Sequence, residues 1–220
     1  MLRILLAIVI SGGDVRSFVC NETIERFRSP LTNPSVHHVD TITARVSFED
    51  GAEHYRDVRR NGRRRGTIAK LTGAWSEGEF GSLVRQTQQL LMKQAIQTMS
   101  EGHYVFETSE DDSPWHLWVS GRPYRIPFQT EVWTNESSGE IVKLERTSRG
   151  ISPETGITEI QWRVVLEPVD LNGVRCLLPK SGTYEVRYKE RDRREWNTMT
   201  FSDYRRYGAE SRLRFQEVAK

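Results

Sequence analysis

The segment Thr41-Ile42-Thr43-Ala44-Arg45-Val46-Ser47-Phe48 decides the fold class of this chain. Its apolar side chains fall on every second residue, which is the period of a β-strand with one buried face. Asp50-Gly51 follows directly, and Asn61-Gly62 comes further along the chain. Both dipeptides are typical of tight hairpin turns, because Asn, Asp and Gly tolerate the positive φ values that such turns need. The pattern predicts a three-strand meander over residues 39–70.

The same alternation recurs through most of the remaining sequence. It is clearest at residues 160–167 and 184–189, and Asn172-Gly173 and Ser181-Gly182 are interpreted as turns beside these segments. Residues 18–28 fit either a helix or an edge strand. Further segments bring the expected total to about a dozen strands, which is far above the number in an average sheet. The chain is therefore predicted to be mostly antiparallel β.

One segment breaks the two-residue period. Between residues 79 and 92, Phe80, Leu83 and other apolar residues follow helical spacing, and Ser76 with Glu79 can form a capping box. An apolar stripe on a helix must be covered, and the natural partner is the apolar face of the sheet. We predict a mainly β (α+β) fold: a long antiparallel sheet curled into an open or incomplete barrel, with one main helix packed on its apolar face.

Length and charge limit the class of protein. The chain has 220 residues, with 32 Lys+Arg against 30 Asp+Glu, which fits one ordinary soluble domain. No apolar run approaches the ~20 residues of a spanning helix, which excludes a multi-span membrane protein. Residues 1–13 place an early Arg before an apolar stretch and small residues, which is the order of a secretory signal peptide; a mis-set start codon or a plain first strand is the alternative. We expect a single β-rich domain over residues 14–220 of a periplasmic or secreted protein.

Residues that could carry catalysis or hold a metal are sparse. None of the five histidines has the spacing to Cys or carboxylate residues that is typical of a metal site; they are His37, His38, His54, His103 and His116. The chain has no nucleophile elbow, phosphate-binding loop or dinucleotide fingerprint. We predict no catalytic residues, no metal and no cofactor.

The two cysteines are far apart in the sequence. Cys20 and Cys176 would close one large loop if they were bridged in an oxidising compartment, or they are two small buried side chains. The sequence leaves both interpretations open.

Large apolar side chains suggest a binding function. The six tryptophans either fill an ordinary core or help to line an apolar cavity beneath a curled sheet, the kind of site that accepts an acyl chain. The candidates for lining such a cavity come from the predicted strands and helix: Phe48, Phe80, Leu83, Trp118, Trp133 and Trp162. We therefore expect a hydrophobic ligand, such as a lipid or a lipoprotein acyl chain.

Arginine clusters give the alternative function. Five arginines flank Asn61-Gly62, and Tyr204 and Tyr207 stand beside Arg205 and Arg206. Such hairpins are solvated devices against edge-to-edge aggregation, or they bind nucleic acid or anionic lipid headgroups. Nucleic acid is the partner that the nearly balanced charge favours least. The alternative is an envelope module that binds a protein partner or the membrane surface through exposed strand edges and Arg/Tyr-rich hairpins.

Three stretches carry a resemblance to known proteins. They are residues 39–62, residues 76–83, and the closing section with Leu177-Leu178-Pro179 and Thr200-Phe201-Ser202-Asp203-Tyr204. These stretches resemble a group of uncharacterised bacterial exported β-rich proteins, and that resemblance implies no activity. More distantly, a long antiparallel sheet around a helix is similar to the periplasmic carriers of outer-membrane lipoprotein sorting, which hold acyl chains in an incomplete barrel. This second resemblance implies a lipid- or lipoprotein-binding envelope protein, although those carriers begin with a long helix and residues 14–38 show no strong helical pattern.

Overall fold

The computed structural model describes residues 17–31, 35–49, 52–66, 97–189 and 193–206. Most of them belong to β-strands, and a 3-10 turn at Pro153–Thr155 precedes one of these. The strands are β1 (Ser17–Pro30), β2 (His37–Glu49), β3 (Ala52–Arg60), β4 (Arg63–Arg64), β5 (Gln97–Ser100), β6 (His103–Thr108), β7 (His116–Val119), β8 (Arg122–Arg125), β9 (Phe128–Thr134), β10 (Ile141–Arg149), β11 (Ile157–Leu171), β12 (Val174–Tyr188) and β13 (Arg193–Arg206).

Eleven of these strands form one antiparallel sheet in the order β4-β3-β2-β1-β13-β12-β11-β10-β9-β6-β5. Most neighbours in space are also neighbours in sequence, as in a meander. The main exception is the pair β1 and β13, which runs from Phe18 opposite Arg206 to Pro30 opposite Arg193. The strands β7 and β8 form a separate hairpin between β6 and β9. The sheet is not closed within the described residues, because β4 and β5 are its two edges.

Local sequence signals explain much of this layout. Ile42, Ala44, Val46 and Phe48 are buried in β2 while the residues between them are mostly exposed, as the alternation predicts. The turn Asn61-Gly62 has the positive φ values of 50° and 76° that a tight hairpin requires. The expectation of a mainly β chain with a long antiparallel sheet is confirmed.

Two local expectations are corrected. Ser181-Gly182 is not a turn but lies inside β12, where the pairing with β11 shifts between Val165 and Leu166. A β-bulge of this kind accommodates small turn-type residues without ending a strand. Residues 18–28 form neither a helix nor an edge strand, because β1 pairs with β2 on one side and β13 on the other.

The predicted helix over residues 79–92 lies outside the described residues. Within the ranges that the structure describes there is no α-helix, so the expectation of one main helix is not borne out there. The same described ranges contain no helix with the length and apolar character needed to cross a membrane. The proposed signal segment, residues 1–13, also lies outside them.

The core lies against one face of the sheet, which we call the inner face. Its larger cluster joins apolar side chains from β1 and β2 with others from β9 to β13, and Leu144 and Val164 at its centre have no exposed surface. Each fully buried side chain of this size stabilises the fold by about 1.5–3 kcal/mol relative to exposure. A smaller cluster at one end of the sheet contains Phe18, Phe48 and both cysteines.

Candidate ligand-binding face

A row of polar and aromatic side chains crosses the apolar inner face. Each member lies directly opposite the next on the adjacent strand, and each is buried. We call this set the polar row, and its members from β2 to β9 are Asp40, Arg26, Asn197, Tyr184, Trp162, Arg146 and Thr130. Because side chains on one face of a sheet repeat every second residue, only one register of seven strands brings these residues into line.

Asp40 anchors one end of the polar row. Its carboxylate has no exposed surface and accepts hydrogen bonds from Arg26 Nε and Nη2, both at 2.6 Å, and from Arg60 Nε at 2.5 Å. Burial alone raises the pKa of Asp40, but the hydrogen bonds and charge of Arg26 and then of Arg60 outweigh it and hold that pKa below its usual value. This end of the row therefore has two guanidinium groups on one carboxylate.

Arg146 lies near the other end and is 2% exposed. Its guanidinium carbon is 4.9 Å from the centre of the Phe128 ring and 5.8 Å from the centre of the Trp162 ring. Aromatic faces attract cations, and the attraction is stronger where water is excluded. A planar guanidinium held in this way combines a positive charge with an apolar setting, which is the chemistry that recognises an anionic group on a hydrophobic molecule.

Glu22 adds an acidic group to the inner face near the smaller cluster. It is 2% exposed on β1, between Ala44 of β2 and Phe201 of β13. Its Oε2 has no hydrogen-bond partner among the described residues. Burial, assisted by the charge of Glu53, raises its pKa to about 8. At neutral pH the group is therefore mainly a neutral carboxylic acid that can donate a hydrogen bond.

The groups around Glu22 are poor nucleophiles. Burial, with the charges of Glu22 and Glu53, raises the pKa of the Cys20 thiol to about 12. Burial also raises the pKa of Cys176, and both cysteines are free thiols in the smaller cluster. The Tyr204 hydroxyl donates a hydrogen bond of 2.5 Å to the Pro179 carbonyl, and burial raises its pKa well above the usual range. A thiol that stays protonated is chemically inert, so this cluster favours packing over covalent chemistry.

The structure divides the six cavity candidates between different places. Phe48 and Trp162 are buried on the inner face, in the smaller and the larger cluster respectively. Trp133 lies on the outer face, where it stacks on His103 at 4.6 Å and under the Lys143 ammonium at 3.6 Å. Trp118 is 68% exposed on β7. Phe80 and Leu83 lie outside the described residues. Trp133 and Trp162 are on opposite faces, so one inner site cannot include both.

Sequence reasoning missed the polar inner-face residues. Glu22 and Arg26 continue the inward phase of Phe18, Cys20 and Ile24, so the signal was present in the alternation itself. Charged residues at inward-facing positions are usually interpreted as the end of a strand, because charges are rarely fully buried unless they are paired. A charged residue in register with buried apolar positions on both sides is the feature that could have identified them.

The outer face is polar and carries ion pairs. Glu145 accepts hydrogen bonds from Arg163 Nε at 2.8 Å and Nη2 at 3.0 Å, and from Gln161 at 2.8 Å. His103 Nε2 lies 2.9 Å from a Glu131 oxygen. Among the described residues, no group of three His, Cys, Asp or Glu side chains could hold a metal ion.

One small pocket opens on this outer face. It has a volume of about 170 Å³ and is lined by Glu107, Pro127, Phe128, Gln129, Thr147 and Arg149. Two of these lining residues are already paired, because Gln129 donates a hydrogen bond of 2.7 Å to Glu107. Its mostly polar lining does not suit an acyl chain.

Comparison with known proteins adds a distant structural likeness. The chain is similar to a DUF1329 family protein from Desulfovibrio piger, with 9% sequence identity, a TM-score of 0.37 and coverage of 96% of this chain and 95% of that chain. Neither a protein-family model nor a curated protein matches the sequence. At this score and identity the likeness carries no argument about function. The resemblance to lipoprotein-sorting carriers is not confirmed by these comparisons.

Proposed function

We propose that this chain is a non-catalytic protein of the cell envelope that binds a hydrophobic ligand, such as a lipid or a lipoprotein acyl chain, along the inner face of its sheet. The observation that supports this proposal is the combination of a broad apolar face with a few buried polar groups at fixed positions. Ligand sites are mostly apolar, and a small number of placed polar groups fixes the orientation of the ligand.

The two kinds of inner-face group suit the two parts of an amphiphile. Leu144 and Val164 are already covered, so the chain would lie among the partly buried apolar side chains packed against them, such as Leu117, where each buried CH2 contributes ~0.8 kcal/mol. The polar row, with Arg146 between the Phe128 and Trp162 rings, would accept a polar head. The neutral form of Glu22 offers a second hydrogen-bonding position on β1, four residues before Arg26.

Uptake of a fluorescent fatty acid by delipidated protein tests the proposal, together with native mass spectrometry of the protein as purified. We expect saturable uptake and co-purified lipid. Val164→Trp fills the inner face, whereas Val165→Trp, one residue along β11, places the same side chain on the outer face. Val164→Trp should weaken uptake and Val165→Trp should not.

Absence of both uptake and co-purified lipid in the unaltered protein would refute the proposal. Because overpacking costs about 1–3 kcal/mol, the thermal unfolding of both variants is measured alongside uptake. Equal weakening by the two variants would also count against an inner-face site.

A further inference from the structure

One end of the sheet brings together the β1–β2 connection and the β3–β4 hairpin. The strand β1 ends at Pro30 and β2 begins at His37, while β3 ends at Arg60 and β4 begins at Arg63. The three pairs of strands are antiparallel, so both connections emerge at the same end. Asn61 links them, since its backbone N–H donates to the Thr41 carbonyl and its side-chain Oδ1 accepts from the Thr41 N–H.

Arginines face arginines across these strands. The directly opposed pairs are Arg45 with Arg56, Arg59 with Arg64, and Arg60 with Arg63. Like charges directly opposite each other destabilise a sheet. Asp40 compensates Arg60, but the ion pair of Arg64 with Asp57 is 3.8 Å long and has both side chains mostly exposed, so it contributes little. The sequence therefore maintains a costly concentration of positive charge, which a negatively charged partner would relieve.

Exposed aliphatic side chains accompany this charge. Among the described residues, five large apolar side chains are classed as exposed, and three of them lie here: Leu31 at 46%, Val36 at 57% and Val39 at 36%. Residues 31 and 36 belong to the β1–β2 connection, and residue 39 lies where the pairing of β1 with β2 shifts between Arg26 and Phe27. Aliphatic tips beside arginines are typical of proteins that lie on a bilayer surface.

We propose that this end of the sheet is a docking surface for an anionic lipid bilayer. The arginines Arg59, Arg63, Arg64 and Arg65 contact headgroups, and the side chains of residues 31, 36 and 39 enter the headgroup boundary. Each arginine near such a surface contributes ~1 kcal/mol of attraction. The inference is independent of the acyl-chain proposal, because it uses an end of the sheet rather than its inner face.

A bilayer fits this surface better than a nucleic acid does. Single-stranded nucleic acids are bound through open aromatic faces as well as through charge. The aromatic rings near this end already stack on one another: Phe27 lies 5.4 Å from Trp196 and 5.1 Å from His38, and the Arg194 guanidinium lies 4.4 Å from the Trp196 ring. Exposed leucine and valine side chains offer nothing to a phosphate backbone, whereas they gain contact with lipid.

Sedimentation of the full chain with vesicles tests the proposal. We expect binding to phosphatidylcholine vesicles that contain phosphatidylglycerol, little binding to phosphatidylcholine alone, and weakening as salt increases. The double substitution Arg63→Gln/Arg64→Gln should weaken binding roughly 30-fold, which is the ~1 kcal/mol per arginine of the headgroup attraction. Leu31→Ser/Val36→Ser should also weaken it.

A matched control uses the other exposed hairpin. Arg122→Gln/Arg125→Gln removes the same charge from β8. Because it changes only the net charge and not the docking surface, it should weaken vesicle binding by no more than about twofold. Circular dichroism and thermal unfolding check that each variant folds. The proposal would be overturned by equal binding to neutral vesicles, by equal losses in both arginine variants, or by no binding at low salt. Tighter binding to an oligonucleotide or to polyglutamate would also overturn it. Fatty-acid uptake is measured on the same variants and should be unchanged, which separates this proposal from the inner-face one.

Discussion

Glu22→Gln should change how the stability of the protein depends on pH. The pKa of Glu22 rises from its ordinary value of 4.5 in an unfolded chain to about 8 in the fold. The folded state therefore holds a proton that the unfolded state releases over this range. Stability falls wherever the folded state binds more protons than the unfolded state, so Glu22 lowers the free energy of unfolding as pH rises from about 4.5 towards 8.

The magnitude follows from the size of the shift. One pKa unit corresponds to about 1.4 kcal/mol, so the full rise sets an upper value of about 5 kcal/mol. Partial relaxation and water entry at high pH reduce this to roughly 2–4 kcal/mol. The groups that face Glu22 are Cys20, Glu53 and Tyr204, and both the thiol and the phenol stay protonated over this range because their pKa values are raised. Cys20 and Tyr204 therefore contribute little to the slope.

Urea unfolding at a series of pH values between 5 and 9 measures the effect. The Gln side chain keeps the shape of Glu22 and cannot ionise, so the variant should lose the downward slope and become more stable than the natural protein at the alkaline end. Glu25→Gln is the matched control, because Glu25 lies on the same strand and is exposed on the outer face. Parallel stability curves for the natural protein and Glu22→Gln would refute the assigned burial of this carboxyl group.

Two further substitutions test the core. Asp40→Asn leaves two arginines without their carboxylate and should lower the free energy of unfolding by about 3–5 kcal/mol near neutral pH. Because the pKa of Asp40 is lowered in the fold, the stability that it contributes in the natural protein should be lost as pH falls below about 4. An Asp40→Asn variant that unfolds at the same urea concentration as the natural protein would contradict this. Leu144→Ala, at a fully buried position, should cost about 2–5 kcal/mol by urea unfolding, whereas Val165→Ala on the outer face should cost much less; similar losses would show that the two faces are not distinguished by packing.

The sequence predicts the strands better than it predicts their neighbours. The alternation around Val46 and the turn at Asn61-Gly62 are local properties, so they can be read without knowing the rest of the fold. The pairing of β1 with β13 joins residues that are distant in sequence, and no local pattern specifies it. Ser181-Gly182 shows that a local signal can also mislead, because this turn-type dipeptide lies beside a β-bulge inside a long strand and does not end it.

In the candidate site, too, local features could be predicted from the sequence and long-range ones could not. Trp162 is in phase with Ile160 and Val164, and its inward position follows from the period of two. Trp133 is adjacent to the buried Val132 and therefore faces outward, which strict use of the same period would have indicated. The line of Arg26 with Arg146 depends on the registers of the strands between them, and those registers are set by long-range pairing rather than by any single segment.

The position of β13 between β1 and β12 has a consequence for biosynthesis. A ribosome makes β1 early and β13 late, so the middle of the sheet is the last part that can assemble. Until then one edge of β1 and one edge of β12 have unpaired backbone N–H and C=O groups, which can pair with the strands of another nascent molecule. A chaperone or a holding factor that shields these edges would matter more for this topology than for a hairpin stack assembled in order of synthesis, and folding should be slow for its size because its decisive contact spans nearly the whole sequence.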